Sequence, residues 1–151
     1  MDLSKTVISK LKRLGFDTSM FIYFIEKNQT YIDILRELFS ELDKGKFKGY
    51  GSVITLTEVL IHPLKLGKND LVNEYLNILQ RSRNFEIISI DPNIAIEAAK
   101  LRSVYSIRTP DAMQIASMVS VNCQAFITND KKLKAIKEIR VITLDDLLMQ
   151  M

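Results

Sequence analysis

Arg13-Leu14-Gly15-Phe16-Asp17-Thr18-Ser19-Met20-Phe21-Ile22-Tyr23-Phe24-Ile25 decides the fold. A short apolar run reaches a carboxylate, and a longer apolar stretch of helical length follows at once. This is a strand feeding a helix, the opening of a βα unit. Ala125-Phe126-Ile127-Thr128-Asn129-Asp130 repeats the pattern late in the chain, with a short helix expected after it. Between the two, short apolar runs alternate with amphipathic stretches. Ile34, Leu35, Leu38 and Leu42 share one helical face, and so do Leu71, Val72, Tyr75, Leu76 and Leu79. Strands are expected over 13–16, 51–55, 85–90, 125–128 and 140–142. Helices are expected over 18–27, 30–44, 57–61, 69–81, 92–105, 109–121, 131–137 and 144–149, with Pro63 stopping the third. Asp91-Pro92 and Thr109-Pro110 open their helices with Pro in the first turn. The strands are short and apolar, as in a mainly parallel sheet with helices on both faces.

The 151 residues fit one domain, spanning 1–151, and can bury a core without staples. Hydrophobic residues at 47% and charged residues at 26% are the balance of a globular protein. The single Cys123 excludes an internal disulfide and fits a reducing compartment; it reads as a small buried hydrophobe. No apolar run approaches the ~20 residues of a membrane span, and Met1-Asp2-Leu3-Ser4-Lys5 lacks the apolar core of a signal peptide. A cytoplasmic protein is expected. The net charge of +3 and a pI of about 8.9 permit contact with nucleic acid without arguing for it.

Four carboxylates fall at element ends. Asp17 follows the first strand and Asp130 the fourth. Glu58 lies in the first turn expected after the second strand, and Asp111 follows Thr109-Pro110. In a parallel sheet, strand ends and the starts of following helices share one edge, where ligands bind. Singly, Asp17 reads equally as a helix cap, Asp111 as a dipole partner, and Glu58 and Asp130 as surface acids. Together on one edge they repel unless a cation bridges them or one is protonated. Hard oxygen ligands suit Mg²⁺ or Mn²⁺.

Phe16-Asp17-Thr18-Ser19, Leu56-Thr57-Glu58-Val59-Leu60 leading to Pro63-Leu64, Thr109-Pro110-Asp111-Ala112 with Gln114-Ile115-Ala116, and Cys123 to Asp130 resemble the PIN domain. More narrowly, they resemble the toxin nuclease of VapBC-type toxin–antitoxin pairs. The resemblance covers roughly 13–146. It implies an α/β fold with strand order 3-2-1-4-5, dependence on Mg²⁺ or Mn²⁺, hydrolysis of RNA, and a two-fold homodimer. It also implies a small antitoxin that lays a basic side chain among the acids. Asp17, Glu58, Asp111 and Asp130 match the family's acidic set. Thr128 matches a supporting hydroxyl, and Asn129 a turn-shaping position. Residues 1–12 form an extension ahead of the first strand, readable as an extra helical turn, a dimer contact or a partner contact.

His62 reads as structural or surface. Lys131, Lys132, Lys134, Lys137, Arg102 and Arg108 read equally as phosphate contacts or solvated side chains. The run 20–25 reads as core packing. The apolar surface of the first two helices exceeds what one sheet face obviously covers, a second reason to expect a dimer. The expected activity is a metal-dependent ribonuclease. The alternative is an inactive PIN-like protein that binds nucleic acid or regulates, and all four acids being present argues against it. A receiver domain would want adjacent acids after the first strand, where Thr18-Ser19 stand. A haloacid-type phosphatase would want a second Asp at Ser19.

Overall fold

The computed structural model describes residues 2–151. Its strands are β1 Arg13–Phe16, β2 Lys48–Ser52, β3 Phe85–Ile88, β4 Ala125–Thr128 and β5 Arg140–Thr143. Its α-helices are α1 Thr18–Ile25, α2 Ile32–Asp43, α3 Val53–Lys65, α4 Asn69–Arg81, α5 Pro92–Val104, α6 Thr109–Ser120 and α7 Leu144–Met149. All strand pairs are parallel, in the order β3-β2-β1-β4-β5, as the resemblance implied. The chain winds outward from β1 to β3, then returns to place β4 on the other side of β1. The switch point therefore lies between β1 and β4.

Side chains alternate across the sheet, so each strand feeds two cores. Leu14, Phe16, Ala125 and Ile127 join α1, α2, α4 and α7 on one face. Tyr50 and Phe126 join α5 and α6 on the other. The first core is aromatic: Phe16, Phe21, Phe39 and Phe85 pack with centroids 5.3–6.0 Å apart. Gly15 faces the second core, where a Cβ would stand 2.5 Å from Cγ and Sδ of fully buried Met118. Gly15→Ala should cost about 1–2 kcal/mol through overpacking, read as a melting temperature lower by several degrees. An unchanged melt would mean that Met118 does not sit against β1.

Four expectations need correction. The second strand is not 51–55 but begins at Lys48, and Val53, Ile54 and Thr55 are helical. Their β-branched side chains imitate a strand, whereas Gly49 and Gly51 disguise the real one. A Cβ on Gly51 would meet the Phe85 ring at 2.9 Å, so close packing of an aromatic selects glycine there. Helix α3 therefore begins earlier, capped by Ser52, and Glu58 lies in its second turn, not its first. Pro63 does not stop α3; it is buried in the last turn, where Leu66 and Lys68 still donate to the carbonyls of His62 and Pro63. The helix expected over 131–137 is a 3-10 turn, Lys131–Ala135.

The extension folds onto its own chain as two 3-10 turns, Leu3–Lys5 and Val7–Lys10. Leu3 and Ile8 are buried in the first core. The Val7 N–H donates to Gln150 and the Lys12 N–H to Gln124, tying the extension to the C-terminal residues and to the loop before β4. On α1, Met20 and Phe21 are buried, and Ile22, Tyr23, Phe24 and Ile25 are partly buried against the first core. No large apolar side chain with high exposure lies on α1 or α2 among the described residues, whereas Ile61 and Leu64 on α3 and the adjoining Leu66 are more than half exposed. Among the described residues no helix is long and apolar enough to cross a membrane.

Candidate functional site

Asp17 leaves β1 at the switch point. Its N–H donates to Ile127, extending the β1–β4 ladder by one step, and its φ of −69° and ψ of 157° start α1. Asp17 Oδ1 accepts from the Thr18 N–H at 2.7 Å, and Oδ2 accepts from Thr128 Oγ1 at 2.6 Å. The cap reading of Asp17 is thus correct, and it does not exhaust the residue. Asp17 is half-buried and lines the cleft. Burial pushes its pKa up to about 6, against the pull of the two hydrogen bonds, and the nearby Asp111 and Glu58 charges push the same way.

Asp111 stands in the first turn of α6, with Arg108 Nε 3.5 Å from Oδ2. Burial raises its pKa, Arg108 lowers it, and Asp130 raises it. Glu58 projects from α3, its Oε1 accepting from Thr18 Oγ1 at 2.7 Å and Gln114 Nε2 at 3.3 Å. Asp130 caps the 3-10 turn after β4 through the Lys132 N–H at 3.0 Å, and its own N–H donates to Thr128 Oγ1 at 3.1 Å. One buried hydroxyl, Thr128, thus connects the ends of β1 and β4.

All four acids line a single open cleft of about 420 Å³. They do not form a closed cage: among the described residues no three His, Cys, Asp or Glu side chains are drawn together as a ready ligand set. The reason is local. Each carboxylate is occupied by its own donor, Thr128, Thr18, Arg108 or a backbone N–H, as mutual repulsion favours. The donors still fit a hard divalent cation. They are carboxylate oxygens round one opening, and burial together with like charge penalises ionised Asp17 there. A separate hollow of about 270 Å³ beneath the N-terminal turns, lined by Leu3, Ile8 and Phe47, gathers no comparable set of acids.

Several residues of the cleft were not singled out by the sequence. Ile22 and Tyr23 line it, although the run 20–25 reads as core; Met20 and Phe21 are the buried pair. Asn129 also lines it and donates to the Tyr23 hydroxyl at 3.1 Å. Among the described residues Arg108 is the one cation on its wall, whereas Arg102 braces the preceding loop through Ile107 and Thr109. Lys131 and Lys134 turn away to Asp145 and Asp146 on α7. His62 is exposed on α3. Cys123 is half-buried, and burial pushes its thiol up to about 12. Gln114 lines the cleft three residues beyond Asp111, and Thr55 is buried three residues before Glu58. Helical spacing from the acids was the signal that could have found both.

The chain is similar in structure to VapBC2 from Rickettsia felis, solved bound to a DNA fragment from their promoter. The TM-score is 0.71 at 20% identity, covering 87% of this chain and 98% of that one. It is also similar to a toxin–antitoxin complex from Klebsiella pneumoniae, with a TM-score of 0.63 at 23% identity, covering 87% and 97%. At these identities the likeness concerns the fold. No curated protein matches the chain significantly. A family model described as PIN domain matches residues 16–139, which include all four acids and the strands β2, β3 and β4. The chain belongs to the PIN domain family.

Proposed function

We propose that this protein is a Mg²⁺- or Mn²⁺-dependent ribonuclease that hydrolyses RNA phosphodiester bonds, and the toxin of a toxin–antitoxin pair. The observation that carries the reading is the convergence of Asp17, Glu58, Asp111 and Asp130 on one cleft, with Asp17 held at a pKa of about 6. A carboxyl so placed is relieved by an adjacent cation. Asp17, Asp111 and Asp130 would hold the ion, with Glu58 completing the acidic set directly or through water. When bound, the ion supplies Lewis-acid polarisation of the phosphoryl group and activation of water.

The chain's own residues do the rest. Thr128 fixes the Asp17 carboxyl by donating to Oδ2 while accepting from the Asp130 N–H, so two acids keep one spacing. Arg108, with its side chain 77% exposed, stands on the rim of the cleft, and its guanidinium is the group there suited to a phosphate. The water oxygen bonds to phosphorus in line as the bond to the leaving ribose oxygen breaks.

Two partners accompany the reading. A small antitoxin would set a basic side chain among the acids, where a guanidinium can bond carboxylates bidentately in place of a metal's charge. A second copy would give a homodimer, with exposed Ile61, Leu64 and Leu66 as the apolar surface to cover. The decisive experiment incubates the pure protein with RNA, with Mn²⁺ or with chelator. Cleavage that depends on Mn²⁺ supports the ribonuclease. No cleavage by the folded protein under either condition refutes it and leaves an inactive PIN-domain binding protein.

A further inference from the structure

Behind Glu58 lies a set of polar groups aimed in one direction. Thr18 Oγ1 donates its only proton to Glu58 Oε1, so the Thr55 hydroxyl, 2.9 Å from Thr18 Oγ1, must be the donor in that contact. Gln114 Nε2 donates to the same Oε1 from the opposite helix. Thr55 is fully buried, Gln114 is 2% exposed and Thr18 is 7% exposed. Both bonds therefore fall on one carboxylate oxygen, and Oε2 takes no hydrogen bond from the described residues.

Gln114 makes this arrangement at a cost. Its Oε1 is the one buried side-chain oxygen or nitrogen left without a partner among the described residues. Turning the amide over would set that oxygen against Glu58 Oε1, which the carboxylate's charge forbids. A residue chosen for packing alone would be apolar here, because an orphaned buried carbonyl is destabilising. The amide is present for its N–H.

We propose that Gln114, together with Thr55 acting through Thr18, is a positioning residue that pins Glu58 Oε1 and turns Oε2 towards the cleft. This rests on the ribonuclease reading, in which Glu58 belongs to the acidic set. Gln114 acts only through Glu58 and is not a catalytic residue.

The test compares wild type with Gln114→Met, Gln114→His and Thr55→Val, each alone and in a Glu58→Gln background. Met keeps the chain length and helix propensity of Gln while removing both polar atoms. Without metal, Gln114→Met should melt at the wild-type temperature or about 2–4 °C higher, because the orphaned carbonyl is gone. Its kcat on RNA should fall about 10- to 100-fold, with KM within about twofold, as for other residues that orient a ligand. The Mn²⁺ concentration giving half of the full melting shift should rise about tenfold. Gln114→His keeps a ring N–H and should recover part of each loss. Thr55→Val should lose about 3- to 10-fold in kcat. In the Glu58→Gln background each further substitution should change kcat by less than about twofold. Full additivity there, or unchanged kcat and Mn²⁺ response in Gln114→Met, overturns the proposal while leaving the ribonuclease intact. A large loss of melting temperature in Gln114→Met also overturns it, by showing a structural role. If wild type does not cleave RNA, the ribonuclease reading is what fails. The Mn²⁺ melts then decide on Gln114, a weakened response supporting positioning and an unchanged one refuting it.

Discussion

Asp17→Asn is expected to lower RNA cleavage by on the order of 10³-fold or more while the protein stays folded. The size follows from the position of the residue. Asp17 sits where β1 meets β4, its carboxyl fixed by Thr18 and Thr128 and facing the charges of Asp111 and Glu58. Asn has nearly the same shape and is as good a helix cap as Asp, so the start of α1 survives. What it removes is one negative charge from the set that would hold the cation, and with it the Lewis-acid and water-activating chemistry. Asp111→Asn should act in the same direction, at the further cost of a favourable helix-dipole contact. Loss of Thr128 should be milder, about 10- to 100-fold, because it orients Asp17 without touching the ion. The assay is cleavage of a defined RNA in millimolar Mn²⁺, with circular dichroism to confirm folding and chelator as the zero. Undiminished cleavage by folded Asp17→Asn would remove this residue from the reaction and with it the assignment of the cleft.

The elements that built this site were unequally legible. β1, β4 and α4 run where the sequence placed them, because their apolar runs have clean boundaries: Asp17 after β1, Gln124 and Asn129 beside β4, and Lys68 and Ser82 round α4. Asp17, Asp111 and Asp130 were located through such boundaries. Glu58 was found with the wrong local frame, since Gly49 and Gly51 conceal β2 while Val53-Ile54-Thr55 imitates it. The glycines answer to the Phe85 ring on a strand 34 residues away from Gly51, a contact that no local pattern reports. Tyr23 and Ile22 were hidden for a different reason. An all-apolar helix has no polar stripe to mark which face meets the core, and only packing decided that Met20 and Phe21 point inward. Gln114 was quoted within a motif, yet its function depends on the approach of α3 to α6 across the sheet edge. The extension was legible as an extension, and its packing against α2 and the C-terminal residues was not, because short 3-10 turns carry no periodicity.

Above pH 4 the metal-free protein should become less stable as pH rises, and Asp17 should be the main cause. Its carboxyl titrates at about 6 when folded, against an ordinary value of 3.8. Between these two values the folded chain holds a proton that the unfolded chain has released. Stability through this group is therefore complete below about pH 4, falls through the window to about 6, and is flat above it. A shift of about two units corresponds to a loss on the order of 3 kcal/mol. Asp111, also raised by burial, adds to the same trend. Asp146, lowered by its bonds to Lys134 and Thr143, works the other way, but only where pH falls through its own still lower pKa. Asp17→Asn has no charge to bury. At pH 7.5 with chelator it should melt higher than wild type, by on the order of 5 °C for a chain of this length, and its stability should be nearly level from pH 4 to 7. Saturating Mn²⁺ should return roughly 1–3 kcal/mol to wild type through binding to the folded state. The variant should gain clearly less, because the attraction it lacks is the one that made the ion welcome. Thermal melts of both proteins, with chelator and with millimolar Mn²⁺, measure all of this together. If wild type and Asp17→Asn gain equally from Mn²⁺, the ion does not sit at Asp17. If wild type shows no fall in stability from pH 4 to 6, the burial and crowding of that carboxyl are not felt in the folded protein, and the electrostatic argument for a cation in this cleft loses its foundation.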